Sequence, residues 1–233
     1  MLKSPVPRFR NSKVSGRIYP NHKEKKMKLV KLVLWLLHTN CYILYDENTK
    51  NAVVIDPAGQ FEKIKDKLDS LKLNVKYIFL THAHIDHMIA LDELKNYTNA
   101  KIVIGKLDEE ALNDGDKNLA DYFKKPCPVS KADITVSDGD TLTLDNHTFK
   151  FIHTPGHTIG GMCILIDNML FSGDTLFYMS VGKVDHYGGD FDAELHSVHT
   201  KLMTLDDNIT VYPGHGDATT IGFERKNNPF LEW

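Results

Sequence analysis

The sequence predicts an α/β fold in which two mixed β-sheets pack face to face, with helices on their outer faces. Two observations carry that expectation. Each half of the chain opens with a group of short apolar β-type runs and continues into segments of helical spacing, an order that suits layered sheets and helices. The histidines and aspartates that stand out fall just after apolar runs, in joints rich in Gly, Pro and Thr, and strand ends on one sheet edge converge in space. The chain has 233 residues, enough for one large domain; 42% are apolar, sufficient for a sizeable core, and 25% are charged, which is ordinary.

The elements follow in order. "LVKLVLWLL", "CYILY" and "NAVVIDP" are β-type runs separated by turn residues. Phe61, Ile64, Leu68 and Leu71 are spaced as one face of a helix. "VKYIFL" reads as a buried strand, the stretch after His87 as a helix to about Tyr97, and "AKIVIG" as another strand. Residues 108–125 look helical and polar, and "KKPCPVSKAD" is a loop. In the second half "DTLTL", "HTFKFIHTPGH", "MCILID" and "NMLFSGD" are strands. Asp192–Leu205 is a helix, "ITVYPGHG" a strand, and the tail "TTIGFERKNNPFLEW" starts a final short helix.

Composition narrows the partners. A formal net charge of −3 provides no drive toward nucleic acid or a membrane surface. No apolar run approaches the 18 residues of a spanning helix. The three cysteines, Cys41, Cys127 and Cys163, form no CxxC pair, which suits a reducing, cytoplasmic setting. Oligomeric state is left between monomer and homodimer.

The domain proper is expected over 27–233. Residues 1–26 hold eight Lys or Arg and one acid, Glu24, and lack the apolar core of a secretory signal. They are expected to be a disordered extension or to reflect a mis-called start before Met27. A purine tract encoding Lys23-Glu24 would suit a ribosome-binding site, and a basic transit peptide is the other reading.

Seven of the twelve histidines sit in the joints after apolar runs. The polar strand-end set is Asp56, the run His82-x-His84-x-Asp86-His87, His157, Asp174 and His215. Imidazole and carboxylate are the usual donors to zinc and similar ions. Alternate residues 82 and 84 suit one ion while 86 and 87 turn toward a second, and a shared carboxylate between two ions completes the count. Clustered carboxylates and imidazoles in a dry pocket are destabilising without a cation. Asp56 has two readings, a turn cap before Pro57 or a partner that orients a ligand imidazole. His38, His147, His196 and His199 are read as turn or surface residues, and His153 and His186 as neighbours of the set.

These motifs, with "TNCYIL", "VIDPAG", "THAHIDH", "HTPGHTIGGMC", "FSGDTLF", "SVGKVDHYGGD" and "YPGHGDATTIGFE" around them, resemble the metallo-β-lactamase superfamily, an αββα sandwich. The flanking text is similar to glyoxalase II and its short bacterial relatives. The resemblance runs from about Lys28 to Pro229. It implies that His82, His84 and His157 hold one metal and Asp86, His87 and His215 a second, with Asp174 bridging. Zinc is the expected ion, and iron or manganese suit the same donors. It also implies a hydrolase for a small-molecule thioester such as S-lactoylglutathione. A metal-bound hydroxide would attack the carbonyl, and Asp86 would steer it. Lys183 matches the glyoxalase II cation that meets glutathione; its other reading is a solvated loop lysine. Three departures are plain. Met88-Ile89-Ala90 replaces the small residues that often follow HxHxDH, Asp185 stands where the long enzymes carry an aromatic residue, and, with about 18 residues after His215, their helical domain is not expected here. The competing expectation is persulfide dioxygenase, a single-iron enzyme on the same fold.

Overall fold

The computed structural model describes residues 27–231, so the expectation for residues 1–26 lies outside the described residues. The first half contains β1 (Lys28–Leu34), β2 (Thr39–Tyr45), β3 (Asn51–Ile55), α1 (Phe61–Leu71), β4 (Asn74–Phe79), α2 (Leu91–Thr98), β5 (Lys101–Gly105), the single turn α3 (Ala120–Phe123) and β6 (Ile134–Val136). The second half contains β7 (Thr141–Leu144), β8 (His147–His153), β9 (Met162–Ile166), β10 (Met169–Gly173), β11 (Leu176–Phe177), β12 (Ser180–Val181), α4 (Phe191–Ser197), β13 (Thr210–Pro213), β14 (Thr219–Thr220) and α5 (Ile221–Asn227).

Both sheets are mixed and have six strands, in the orders β1-β2-β3-β4-β5-β6 and β14-β13-β10-β9-β8-β7. In the first, β1, β2 and β3 pair antiparallel, and β3 to β6 pair parallel. In the second, β10 runs parallel to β13 while β7 to β10 alternate. A two-stranded ribbon, β11-β12, stands apart.

The period-two pattern of the strands explains the layers. Tyr42, Leu44, Val53, Ile55, Phe79 and Val103 point between the sheets, where they meet Phe149, Phe151, Ile164 and Phe171 of the second sheet. The alternate residues Ile43, Val54, Ile78, Ile102 and Ile104 face the other way, onto Ile64 and Leu68 of α1 and Leu91 and Leu94 of α2. In the second sheet Ile152, Cys163, Leu170 and Val211 face outward onto Val198, Leu202 and Ile221. Phe79 meets Phe149 and Phe151 edge-on at centroid distances of 5.2 Å, an aromatic seam across the sandwich. Helix, sheet, sheet, helix is the expected architecture.

Three local expectations are corrected. Residues 108–125 are not a helix: short 3₁₀ turns lead into α3, because Asp114 Oδ1 accepts the N–H groups of Asp116 and Lys117 and turns the chain. The helix after His87 begins only at Leu91, behind a 3₁₀ turn over Ile85–His87. The helix expected over Asp192–Leu205 is α4 followed by a π-helical turn, Val198–Leu202. Among the described residues no helix is long and apolar enough to cross a membrane.

Candidate metal centre

Strand direction assembles the site. β3 and β4 are parallel neighbours. β8, β10 and β13 share one direction, since β8 and β10 are each antiparallel to β9 and β13 is parallel to β10. The C-terminal ends of these five strands release Asp56, the His82–His87 run, His157, Asp174 and His215. Bonds between the sheets bring the two edges together. The Met162 N–H donates to Thr81 O at 2.8 Å, the Asn40 N–H donates to Gly214 O at 2.7 Å, and Thr39 forms an isolated bridge with His215.

All seven expected donors meet in one cluster, five of them buried and Asp174 and His215 partly so. His157 Nε2 lies 3.2 Å from His82 Nε2 and 2.9 Å from His84 Nδ1. His87 Nε2 lies 3.5 Å from Asp86 Oδ2, and His215 Nε2 lies 3.3 Å from the same oxygen. Asp174 sits between the two trios: Oδ1 is 3.3 Å from His87 Nε2, and Oδ2 is 3.4 Å from His215 Nε2 and 3.6 Å from His157 Nε2. Asp174 and His215, the members remotest in sequence from the THAHIDH run, are thus in direct contact range of it.

The outer nitrogens set the inner ones. His82 Nδ1 faces Thr81 Oγ1 at 3.1 Å, and that hydroxyl already donates its proton to Asp56 Oδ2. His87 Nδ1 faces Asp56 Oδ2 at 2.9 Å, His157 Nδ1 faces Lys183 O at 2.5 Å, and His215 Nδ1 faces Leu37 O at 3.2 Å. Each of these partners can only accept, so each Nδ1 carries a hydrogen and each Nε2 faces inward. Asp56, also bonded by the Thr81 N–H at 2.8 Å, therefore orients the imidazole of His87, the second of its two readings.

Such an arrangement fits cations. Ring nitrogens of His82, His84 and His157 crowd one point, and His87 Nε2 and Asp174 Oδ1 are buried without a hydrogen-bond partner. Ligands held about 2.0–2.1 Å from a tetrahedral zinc stand about 3.3 Å apart, close to the donor separations here. The trios His82/His84/His157, His82/His87/Asp174 and Asp86/His87/His215 each bring their donor atoms within 4.8 Å of one another.

Electrostatics divides the cluster. Burial holds His82 well below the ordinary imidazole range and His84 at about 3, so both are neutral imidazoles at pH 7. Burial opposes charge at His87 and His215 too, but there the surrounding aspartates outweigh it: His87 is raised well above its usual value and His215 to about 9. Burial also works against ionised Asp86 and Asp174, yet these imidazoles keep Asp86 at about 2 and Asp174 well below the carboxylate range. Protons on His87 and His215 thus stand in for positive charge that a cation would supply.

The Lys183 side chain is exposed and reaches toward solvent, and the residue's carbonyl is the group that holds His157. Three supporting residues were not foreseen. Asp108 accepts from Ala83 N–H, Thr158 Oγ1 and Gly160 N–H, tying the His82–His84 loop to the His157 loop. Glu194 on α4 accepts the His157 N–H at 2.9 Å. Thr39 donates to Asp86 Oδ2 at 2.8 Å. Asp108 follows an apolar strand as Asp56 does, so the same pattern can find it; nothing local marks Glu194. His186 stacks edge-on to His84 at 5.8 Å, and His153 bonds Ile159 O.

The family model of the metallo-beta-lactamase superfamily matches residues 34–215. The chain is 36% identical over 200 residues to the hydroxyacylglutathione hydrolase GloC of Haemophilus influenzae, covering 82% of this chain and 92% of that protein. Its fold superposes on the BLEG-1 B3 metallo-beta-lactamase with a TM-score of 0.84 at 35% identity, over 88% of this chain and 99% of that one. TTHA1623 in a di-iron-bound form matches with a TM-score of 0.77 at 32% identity, over 87% and 100%.

Proposed function

The chain belongs to the metallo-β-lactamase superfamily, a group made up largely of metal-dependent hydrolases, and from that premise we propose that it is a two-metal hydrolase of small-molecule thioesters, of the glyoxalase II type. The observation that carries the reading is the Asp174 carboxylate, with one oxygen against His87 and the other against both His157 and His215. That is the place of a shared ligand. His82, His84 and His157 would hold one ion and Asp86, His87 and His215 the other. Bound there, a pair of divalent cations supplies an acidified water as nucleophile and a Lewis acid for the carbonyl.

The chain's own residues prepare the rest. His82 and His84 stay unprotonated at neutral pH and keep their lone pairs available. Asp86, fixed by Thr39 and ionised, is placed to orient the nucleophilic water and receive its hydrogen bond. The exposed Lys183 ammonium, on the loop whose carbonyl holds His157, offers a charge to a substrate carboxylate. A thiolate leaves readily, so no strong acid is required of the protein. The likeness to GloC supports this substrate class; zinc is the expected ion, and the likeness to a di-iron protein supports iron as an alternative.

A second reading rests on one grouping. His82, His87 and Asp174 form a two-imidazole, one-carboxylate trio, a set suited to a single iron and to persulfide dioxygenase chemistry. The experiment is metal analysis of the purified chain joined to a substrate panel: S-lactoylglutathione and other thioesters, a β-lactam, and glutathione persulfide with oxygen uptake recorded. About two metal equivalents with thioester cleavage is the expected result. Oxygen uptake with one iron per chain, or preferential β-lactam hydrolysis, overturns it.

A further inference from the structure

We propose that Thr39 is a positioning residue that decides whether the Asp86–His87–His215 half of the cluster keeps a cation of its own. The inference rests on the reading of the cluster as a two-metal centre. Most donors have a fixed outer support. His82, His87, His157 and His215 are held by Thr81 Oγ1, Asp56, Lys183 O and Leu37 O. Asp174 is wedged sterically: a Cβ placed on Gly214 would lie 2.2 Å from its Oδ1. Asp86 differs. Among the described residues, the hydrogen bond to its carboxylate from outside the donor set comes from Thr39 Oγ1, at 2.8 Å.

The hydroxyl reaches Oδ2, the oxygen that also faces His215 Nε2 at 3.3 Å and His87 Nε2 at 3.5 Å. A Thr hydroxyl has one proton to give, and here it fixes the rotamer of the carboxylate before any ion arrives. Thr39 also touches the second member of the trio, through its backbone bridge to His215. The surrounding staple is independent of that hydroxyl. Asn40 donates its N–H to Gly214 O and its side-chain amide to Pro213 O and Gly216 O, and Tyr42 Oη donates to Pro213 O. Removing the hydroxyl therefore frees Asp86 while β2 stays stapled to the His215 loop. His82, His84 and His157 take their recorded bonds from other residues, so the consequence is confined to one half.

The test is zinc binding by the full chain, stripped with chelator and titrated calorimetrically, for the wild type, Thr39→Val, Thr39→Ser and Asp86→Asn. Valine keeps the shape and loses the donor. The expected result is two binding events in the wild type. In Thr39→Val one is unchanged and the other weakens about 10- to 100-fold, the range for loss of a ligand's outer partner. Thr39→Ser restores the weakened site, and Thr39→Val adds little to Asp86→Asn because both act on one carboxylate. Two wild-type-like events in Thr39→Val, equal weakening of both sites, or no rescue by serine overturns the proposal. Circular dichroism of the metal-free variants monitors the fold, and Thr39→Ala repeats the comparison with a smaller side chain. A wild type that binds no zinc overturns the two-metal reading itself, which separates the two failures.

Discussion

Asp174 concentrates the chemistry of the site in one side chain, since its two oxygens face imidazoles from both trios. Asp174→Ala removes the carboxylate that His87, His157 and His215 face in common. Metal content should fall below two equivalents, and thioester turnover should drop by more than the roughly 10- to 100-fold that follows loss of an outer partner. A purified variant with full metal and full turnover would exclude a shared role. Glu194 is a different case, buried behind His157. Its ordinary value is 4.5, and burial lifts it to about 8 against the opposing bond from His157 N–H. The folded chain therefore holds a proton that the unfolded chain releases between those values. Stability from this proton is complete below about pH 4.5 and is lost as pH rises toward 8. Glu194→Gln stays neutral throughout. In denaturant titrations of the metal-free chain at pH 5 and pH 8, the variant should gain on the wild type by up to a few kcal/mol at the higher pH. A pH-independent difference would show that Glu194 is ionised in the fold.

At the scale of elements, α5 closes the structure through Glu224. This carboxylate is fully buried and accepts from Met179 N–H, Thr219 Oγ1 and Asn228 Nδ2. It thus joins the β11–β12 ribbon, β14 and the end of α5. Tyr178 of the ribbon stacks on Phe223 of the helix at 5.3 Å. Glu224→Ala strands three donors, and each buried unsatisfied group costs about 1–3 kcal/mol. A loss near 3 kcal/mol and a melting temperature lower by about 10 °C are expected, with metal content unchanged because none of the candidate donors is touched. Loss of metal together with stability would mean that the ribbon helps shape the centre. The segment after β5 teaches a related point. Its composition reads as helix, yet Asp114 captures two backbone N–H groups and breaks it into turns, and those turns leave Asp108 facing the histidine loops.

At the scale of the whole molecule, the donors come from both sheets: His82, His84, Asp86 and His87 follow β4, while His157, Asp174 and His215 follow β8, β10 and β13. A cation held there would cross-link the sandwich at its edge and would bind the folded chain in preference to the unfolded one. At a thousandfold excess over its dissociation constant one ion adds about 4 kcal/mol. Chelation should lower the melting temperature by roughly 10 °C, and reloading should restore it; an unchanged melting curve after verified metal removal would contradict the cross-link. Metal uptake at this cluster is expected to release protons, since His87 and His215 are raised in the metal-free chain.

The sequence by itself determined the layers and the list of candidate donors. Alternating apolar residues such as Tyr42, Ile43 and Leu44 dictate two faces per strand, and polar groups placed just after such runs have nowhere to go but a common sheet edge. His82, His84, Asp86, His87, His157, Asp174 and His215 were legible because their side chains are costly to bury apart and stand at strand ends. Only the tertiary structure decided which oxygen supports which donor: the Lys183 and Leu37 carbonyls hold the rings of His157 and His215, the Thr39 hydroxyl holds the Asp86 carboxylate, and Glu194, from a helix far along the chain, holds the His157 backbone N–H. Those supports were illegible because a backbone carbonyl has no residue identity, and a lone Thr or Glu acquires its role only when packing removes the water it would otherwise bond.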